Sequence, residues 1–204
     1  MKKSILLIFI LLLGTHIEAQ KSDLDALAID MFKKVNERNF DALMDMTYPA
    51  VFDVVPKDMM ISSFKSMFEG NDDVSIDLPE LEPNFQTTQV YKTENSKIEY
   101  AFMNYDLLMS MTFKNQEFDQ ESQKMMIDMI KAQGMDATFE SKNKINVNAQ
   151  NRVVILLKDD KTNNEWKMIN YDPNSPFFVQ ILPAEIIEKA KSHHMALLLA
   201  SKKK

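Results

Sequence analysis

The 204-residue chain contains no cysteine, which excludes disulfide bonds, thiolate metal sites and lipid attachment to a cysteine. Glycine is almost as scarce, since only Gly14, Gly70 and Gly134 occur. A glycine-rich phosphate-binding loop cannot be built from three isolated glycines. We therefore expect no nucleotide-dependent chemistry, and the sequence indicates no cofactor of another kind.

Arginine occurs only twice, as Arg38 and Arg152, and the formal net charge is −6 at pH 7. Proteins that bind nucleic acids present a basic face to the phosphates, so we expect no nucleic-acid partner. Histidine is also rare, and His193 and His194 stand side by side near a lysine-rich end. Adjacent residues of a helix point about 100° apart, so these two are expected to be solvated rather than to form a catalytic or metal site.

The chain begins with the segment MKKSILLIFILLLGTHIEAQ. Two lysines precede the apolar run Ser4–Leu13, which is shorter than the roughly 18 residues of a membrane helix. Ile17 and Ala19 fit a cleavage site, which predicts a signal peptide over residues 1–19. We expect one domain over residues 20–204, exported to a periplasm or the cell exterior as a soluble protein without stable membrane insertion.

Three amphipathic helices are predicted after the signal peptide. Ser22 can cap the first helix, Asn39 can cap the second, and Gly70 can end the third. Apolar residues recur at helical spacing through all three segments. Those assigned to the buried faces are Leu24, Leu27, Ala28, Met31, Phe32, Val35, Phe40, Leu43, Met44, Met60, Phe64, Met67 and Phe68.

After Gly70 the hydrophobic period changes to two, which predicts strands. The predicted strands are Val74–Leu78, Gln86–Tyr91, Lys97–Phe113, Phe139–Val147, Val153–Leu157 and Glu165–Tyr171. Because Lys97–Phe113 is long for a strand, we expect a bend or bulge inside it. Val153–Leu157 is apolar throughout and is expected to be central, with both faces covered.

Two more helices are predicted, one between the strands and one after them. The first is Asp119–Gln133, and its predicted buried side consists of Met125, Met126, Met129 and Ile130. The second is Ile181–Leu199, followed by a tail over residues 200–204. Together the elements predict an α+β fold.

Sixteen methionines raise the question of a Cu(I) site, because thioether sulfur is a soft ligand. Many of them fall where helices need core residues, and methionine fills irregular gaps in cores well. The acidic stretch EGNDDVSIDLPELE has oxygen ligands, but its spacing does not match a calcium-binding loop. We therefore expect no metal.

The order of these elements resembles the nuclear transport factor 2-like superfamily, which includes ketosteroid isomerase and SnoaL-like proteins. The matching stretches, LAIDMFKKVNERNFDALMDMTYPAVF, VVPKDMMISSFKSMF and NRVVILLKDDKTNNEWKMIN, lie within residues 24–171. The resemblance implies a cone in which N-terminal helices pack in the concave face of a curved, mostly antiparallel sheet. The helix between the strands and the C-terminal helix are additions to that plan.

Two classes of function follow from the resemblance and the composition. The favoured one is an exported, non-catalytic binding or interaction protein, whose pocket or sheet face holds a small apolar molecule or a protein partner. The other is a small-molecule isomerase, hydratase or cyclase that uses a carboxylate base in the cone. The sequence leaves the ligand and any pairing of two copies through the sheet open.

Four residues are candidates for a ligand site: Tyr48, Asn104, Asp106 and Trp166. Enzymes of the superfamily use a buried Asp or His as base, and Asp106 shares a strand face with Asn104. Alternatively, both side chains face water and the odd-numbered residues of the strand face the core. Tyr48 can supply a second polar group, and Trp166 an aromatic wall or a core contact.

Overall fold

A computed structural model describes residues 21–70, 72–94 and 97–201. The fold is α+β, with helices towards both ends of the chain and one seven-stranded antiparallel sheet between them. The helices are α1 (residues 21–36), α2 (Phe40–Met46), α3 (Lys57–Glu69), α4 (Gln120–Ala132), α5 (Phe178–Ile181) and α6 (Ala184–Ser201). The strands are β1 (Val74–Asp77), β2 (Phe85–Thr87), β3 (Tyr91–Lys92), β4 (Glu99–Phe113), β5 (Asp136–Phe139), β6 (Lys144–Lys158) and β7 (Lys167–Asn170). The predicted signal peptide lies outside the described residues.

Most predicted helix ends agree with the structure. The Asn39 side chain caps α2 by accepting a hydrogen bond from the Ala42 N–H, and Gly70 follows α3 with a positive φ of 75°. The prediction for Ser22 is wrong, because this residue lies inside α1, which already contains residue 21. The expected last helix is divided, because Pro183 separates α5 from α6.

The two 15-residue strands β4 and β6 form the centre of the sheet. Strands β1, β2 and β3 pair with β4, whereas β5 and β7 pair with β6. The register slips after Tyr105, where Asp106 lies opposite two residues of β6, Gln150 and Asn151. The bulge expected inside the long strand β4 is therefore carried by its partner, because the extra residue belongs to β6.

Two strand predictions need correction. The sequence predicted separate strands on either side of residues 148–152, but β6 runs through them without a break, and Phe139 belongs to β5. The reason is Asn151, which takes a left-handed φ of 54° inside the bulge instead of making a turn. The predicted strand Gln86–Tyr91 is split into β2 and β3.

Helices cover both faces of the central strands. On one face, Leu24 and Phe32 of α1 share a buried cluster with Met103 and Val154. On the other face, Ile186 and Ala190 of α6 share a cluster with Tyr100, Phe102, Val153, Ile155 and Leu157. Residues Val153–Leu157 are at most 2% exposed, which confirms that this segment is central and covered on both sides.

Helix α4 packs beyond the bulge, on the same face of β4 as α1. Met126, Ile127 and Ile130 contact the cluster around Ile145. Met125 and Met129 are 60% and 61% exposed, so their assignment to the buried side is wrong. Met125 and Met129 lie about 100° around the helix from Met126 and Ile130, and only Met126 and Ile130 face the sheet.

His193 and His194 are half-buried, which corrects the expectation that they are solvated. The His193 ring stacks on Phe102, with centroids 5.0 Å apart, and His194 meets Tyr171 edge-on at 6.0 Å. Burial lowers the pKa of both imidazoles below the ordinary value. Within the ranges that the structure covers, no helix is long and apolar enough to cross a membrane.

Candidate functional site

A cavity of about 300 Å³ lies between α1, α2, α3 and the sheet; we call it the helix cavity. It is lined by Met31, Val35, Phe40, Leu43, Met44, Thr47, Val51, Met60, Phe64, Met67, Phe68, Leu78, Leu81, Tyr105, Leu107, Met168, Ile169, Asn170 and Phe177. Its volume is at the lower end of the roughly 300–1,000 Å³ typical of small-molecule sites. The space is large enough for a small ligand.

Helix α3 forms the outer wall of the helix cavity. None of its residues is fully buried, although Met60, Phe64 and Phe68 form one apolar face. Phe64 and Phe68 stack with Phe40 of α2, at centroid distances of 6.0 and 5.4 Å. Met60 packs against the buried cluster of the sheet, and the rest of the apolar face of α3 borders a space that the protein's own side chains do not fill.

Three lining residues carry polar side chains. The Thr47 hydroxyl donates to the Leu43 carbonyl at 2.9 Å and is already used within the fold. Asn170 is exposed, and the Tyr105 hydroxyl makes no hydrogen bond with any residue of the described ranges. Burial raises the pKa of Tyr105, so this hydroxyl keeps its proton and can donate to a ligand.

Charge is lacking at this site. Among the described residues that line the helix cavity, none is Asp, Glu, His, Lys or Arg. An ionised ligand would lose its hydration there without a charged lining residue to pair with. The lining therefore suits a neutral, mainly apolar molecule with one or two hydrogen-bonding groups.

Tyr48 was a candidate from the sequence, but its hydroxyl is committed elsewhere. It is 1% exposed and donates a 2.7 Å hydrogen bond to Asp159 Oδ2. Burial, together with the hydrogen bond and charge of Asp159, raises the pKa of Tyr48 far above its ordinary value. Tyr48 does not line the helix cavity, although its neighbour Thr47 does.

Asn104 and Asp106 share one face of β4, as predicted. The helix cavity is on the other face, where it is lined by Tyr105 and Leu107. Asn104 is half-buried, and Asp106 is exposed. Asp106 Oδ1 accepts a 2.8 Å hydrogen bond from the Asn151 N–H, and so binds the backbone of the bulge.

Trp166 packs against the α1 cluster, with Lys158 Nζ 5.8 Å from its ring centroid. The four sequence candidates therefore do not meet in one place, and none lines the helix cavity. The residues of α1, α2 and α3 that do line it are predicted from the sequence to be helix-core residues. One signal in the sequence could have indicated them. Phe40, Phe64 and Phe68 give α2 and α3 more aromatic surface than two short helices need in order to pack together.

Comparison with protein-family models, with curated proteins and with solved structures gives no match to this chain. Within the described ranges, no three His, Cys, Asp or Glu residues are placed together to hold a metal ion.

Proposed function

We propose that the protein is a non-catalytic binding protein that holds a small, neutral, apolar molecule in the helix cavity. The observation that carries this proposal is α3, whose apolar face lines the cavity while none of its residues is buried. A ligand in this space would cover that face. The Tyr105 hydroxyl supplies the group that orients the ligand.

The lining favours binding over catalysis. An isomerase, hydratase or cyclase needs a base that reaches the substrate, usually a carboxylate or histidine. Asp106, the candidate base, lies on the opposite face of β4 and binds the bulge. The lining residues supply hydrogen-bond donors and apolar surface, which suffice to hold a molecule.

The proposal includes membership of the nuclear transport factor 2-like superfamily and export from the cytoplasm. Support for the family is the order of elements, with α1 packed on one face of an antiparallel sheet whose two longest strands pair through a bulge. Support for export is the signal-like sequence of residues 1–19. Amino-terminal sequencing of protein recovered from the secreting cell tests the cleavage.

Leu107 and Leu108 provide a matched pair for testing the ligand site. They are neighbours on β4, but Leu107 lines the helix cavity, and Leu108 is 52% exposed on the other face. Leu107→Trp places an indole in the cavity, whereas Leu108→Trp places the same group in solvent. The probe is the neutral fluorophore N-phenyl-1-naphthylamine, whose emission rises in apolar surroundings.

We expect saturable binding of one probe molecule per chain in the wild type and in Leu108→Trp. Leu107→Trp should weaken binding by about tenfold or more, equivalent to about 1.4 kcal/mol. Circular dichroism establishes that each variant is folded. Unchanged affinity in Leu107→Trp, or no saturable binding in the wild type, would refute the proposal.

A further inference from the structure

A second, polar cavity of about 240 Å³ lies where α4, the bulge of β6, the turn after β7, and α6 meet; we call it the bulge cleft. Gln133, Arg152, Tyr171, Asp172 and His194 contribute side chains to its lining. No described residue lines both the bulge cleft and the helix cavity. The two spaces are nevertheless neighbours, because Arg152 pairs across the strands with Tyr105 and its positive charge opposes the rise that burial causes in the pKa of Tyr105.

Arg152 is the unusual group in the bulge cleft. It is half-buried, yet its guanidinium forms no ion pair within 4.0 Å and no side-chain hydrogen bond with any residue of the described ranges. The other arginine, Arg38, is exposed and donates to the Phe68 carbonyl. A guanidinium has five N–H donors, and removing it from water is unfavourable unless acceptors replace the lost hydration.

The groups beside Arg152 are also hydrogen-bond donors, so they favour a ligand that carries acceptors. His194 lies close enough for the positive charge of Arg152 to add to burial in lowering the pKa of its imidazole. Tyr171 is buried beside His194, with a ring-centroid distance of 6.0 Å, and burial raises the pKa of its phenol. Arg152 and Tyr171 are donors at neutral pH, and the neutral His194 ring offers one N–H.

One group in the cleft opposes an anion. Asp172 is exposed at the rim, and its Oδ1 accepts a hydrogen bond from the Asn174 N–H at 2.9 Å. Being exposed and already hydrogen-bonded, it is screened more strongly than the half-buried Arg152. The negative charge of Glu188 on α6 also acts on Tyr171, but Glu188 is exposed and does not line the cleft, so the interior favours negative charge.

We propose that the bulge cleft binds a small oxyanion, a carboxylate or phosphate group, through Arg152 with Tyr171 and His194 beside it. The planar guanidinium can donate two parallel hydrogen bonds to a carboxylate or a phosphate. Its charge and its geometry therefore both suit an oxyanion.

The test is a titration of the protein with sodium acetate and with sodium phosphate at constant ionic strength. The readout is the position of the Gly134 and Asn151 backbone amides in ¹H–¹⁵N spectra. We expect saturable shifts at these amides with at least one of the anions. Tighter acetate binding assigns a carboxylate ligand, and tighter phosphate binding assigns a phosphate.

Variants separate a specific site from a general effect of salt. Arg152→Gln should weaken binding about tenfold or more, while Arg38→Gln, which removes the same charge elsewhere, should leave it unchanged. Asp172→Asn keeps the acceptor for Asn174 and should tighten binding. If Arg152→Gln does not fold, Asp172→Asn tests the proposal in its place. Equal anion affinity in Asp172→Asn and the wild type would then refute the proposed oxyanion site.

The spectra also report on His194. Without anion, Arg152→Gln should raise the pKa of His194, because a positive charge beside the imidazole is removed. The proposal is overturned if neither anion gives saturable shifts in the wild type. It is equally overturned if Arg152→Gln is folded and binds as the wild type does.

Discussion

The Tyr48 hydroxyl donates a 2.7 Å hydrogen bond to Asp159 Oδ2, joining the segment after α2 to the end of β6 across 111 residues of sequence. Asp159 is buried as well, and its other oxygen accepts from the Thr162 N–H. This bond fixes the chain that leads from α2 to α3 against the sheet. It therefore holds the frame of the helix cavity without lining it.

Removing the Tyr48 hydroxyl should destabilise the protein without affecting the helix cavity. Tyr48→Phe leaves a buried carboxylate oxygen without its donor, which costs about 1.5–3 kcal/mol. Urea denaturation measures the loss as a lower midpoint with an unchanged slope. A double-mutant cycle with Asp159→Asn isolates the pair, and a coupling energy near zero would contradict the assignment.

Asp106 should contribute to stability and not to ligand binding. Asp106→Ala removes the acceptor for the Asn151 N–H and should lower the free energy of unfolding by about 1 kcal/mol. Asp106→Asn keeps a carbonyl acceptor and should cost less. Both variants should bind N-phenyl-1-naphthylamine as the wild type does. If Asp106→Asn lost probe binding while remaining folded, Asp106 would act at the ligand site after all.

Acid should destabilise the protein through the histidines of α6. Burial lowers the folded-state pKa of His193 and His194 below the ordinary 6.5, so protons bind the unfolded chain more readily. The stability contributed by the neutral rings is complete above pH 6.5. It is lost as the pH falls through the lowered folded-state pKa.

His193→Phe isolates one of these groups. Phenylalanine can keep the stacking on Phe102 and removes the buried Nε2, which has no hydrogen-bond partner among the described residues. Melting temperatures measured from pH 8 to pH 4.5 should fall less steeply with acid in the variant. Identical pH dependence in both proteins would show that His193 does not carry the effect.

The sequence was informative where local pattern decides structure. The apolar stripe of α1 and the alternation along β4 follow from helix and strand geometry, and the structure confirms both. Asn39 and Gly70 mark helix ends through side-chain and backbone chemistry that acts within a few residues. Such features need no knowledge of distant contacts.

The sequence was less informative where packing partners decide structure. Met125 and Met126 are equally apolar, and only the position of the sheet determines that Met126 is covered. The lysine tail nearby in the sequence predicts a solvated His193, yet its ring stacks on Phe102. The helix cavity could not be predicted, since a periodic pattern shows which residues of α3 face inward but not whether others fill the space.

Methionine methyl groups offer the most direct test of the helix cavity as the ligand site. Met31, Met44, Met60, Met67 and Met168 line it, whereas Met125 and Met129 lie exposed on α4. With ¹³C-methyl-labelled methionine, addition of N-phenyl-1-naphthylamine should shift the first group in a saturable way and leave the second unchanged. Shifts confined to Met125 and Met129, or no shift among the cavity methionines, would contradict the account.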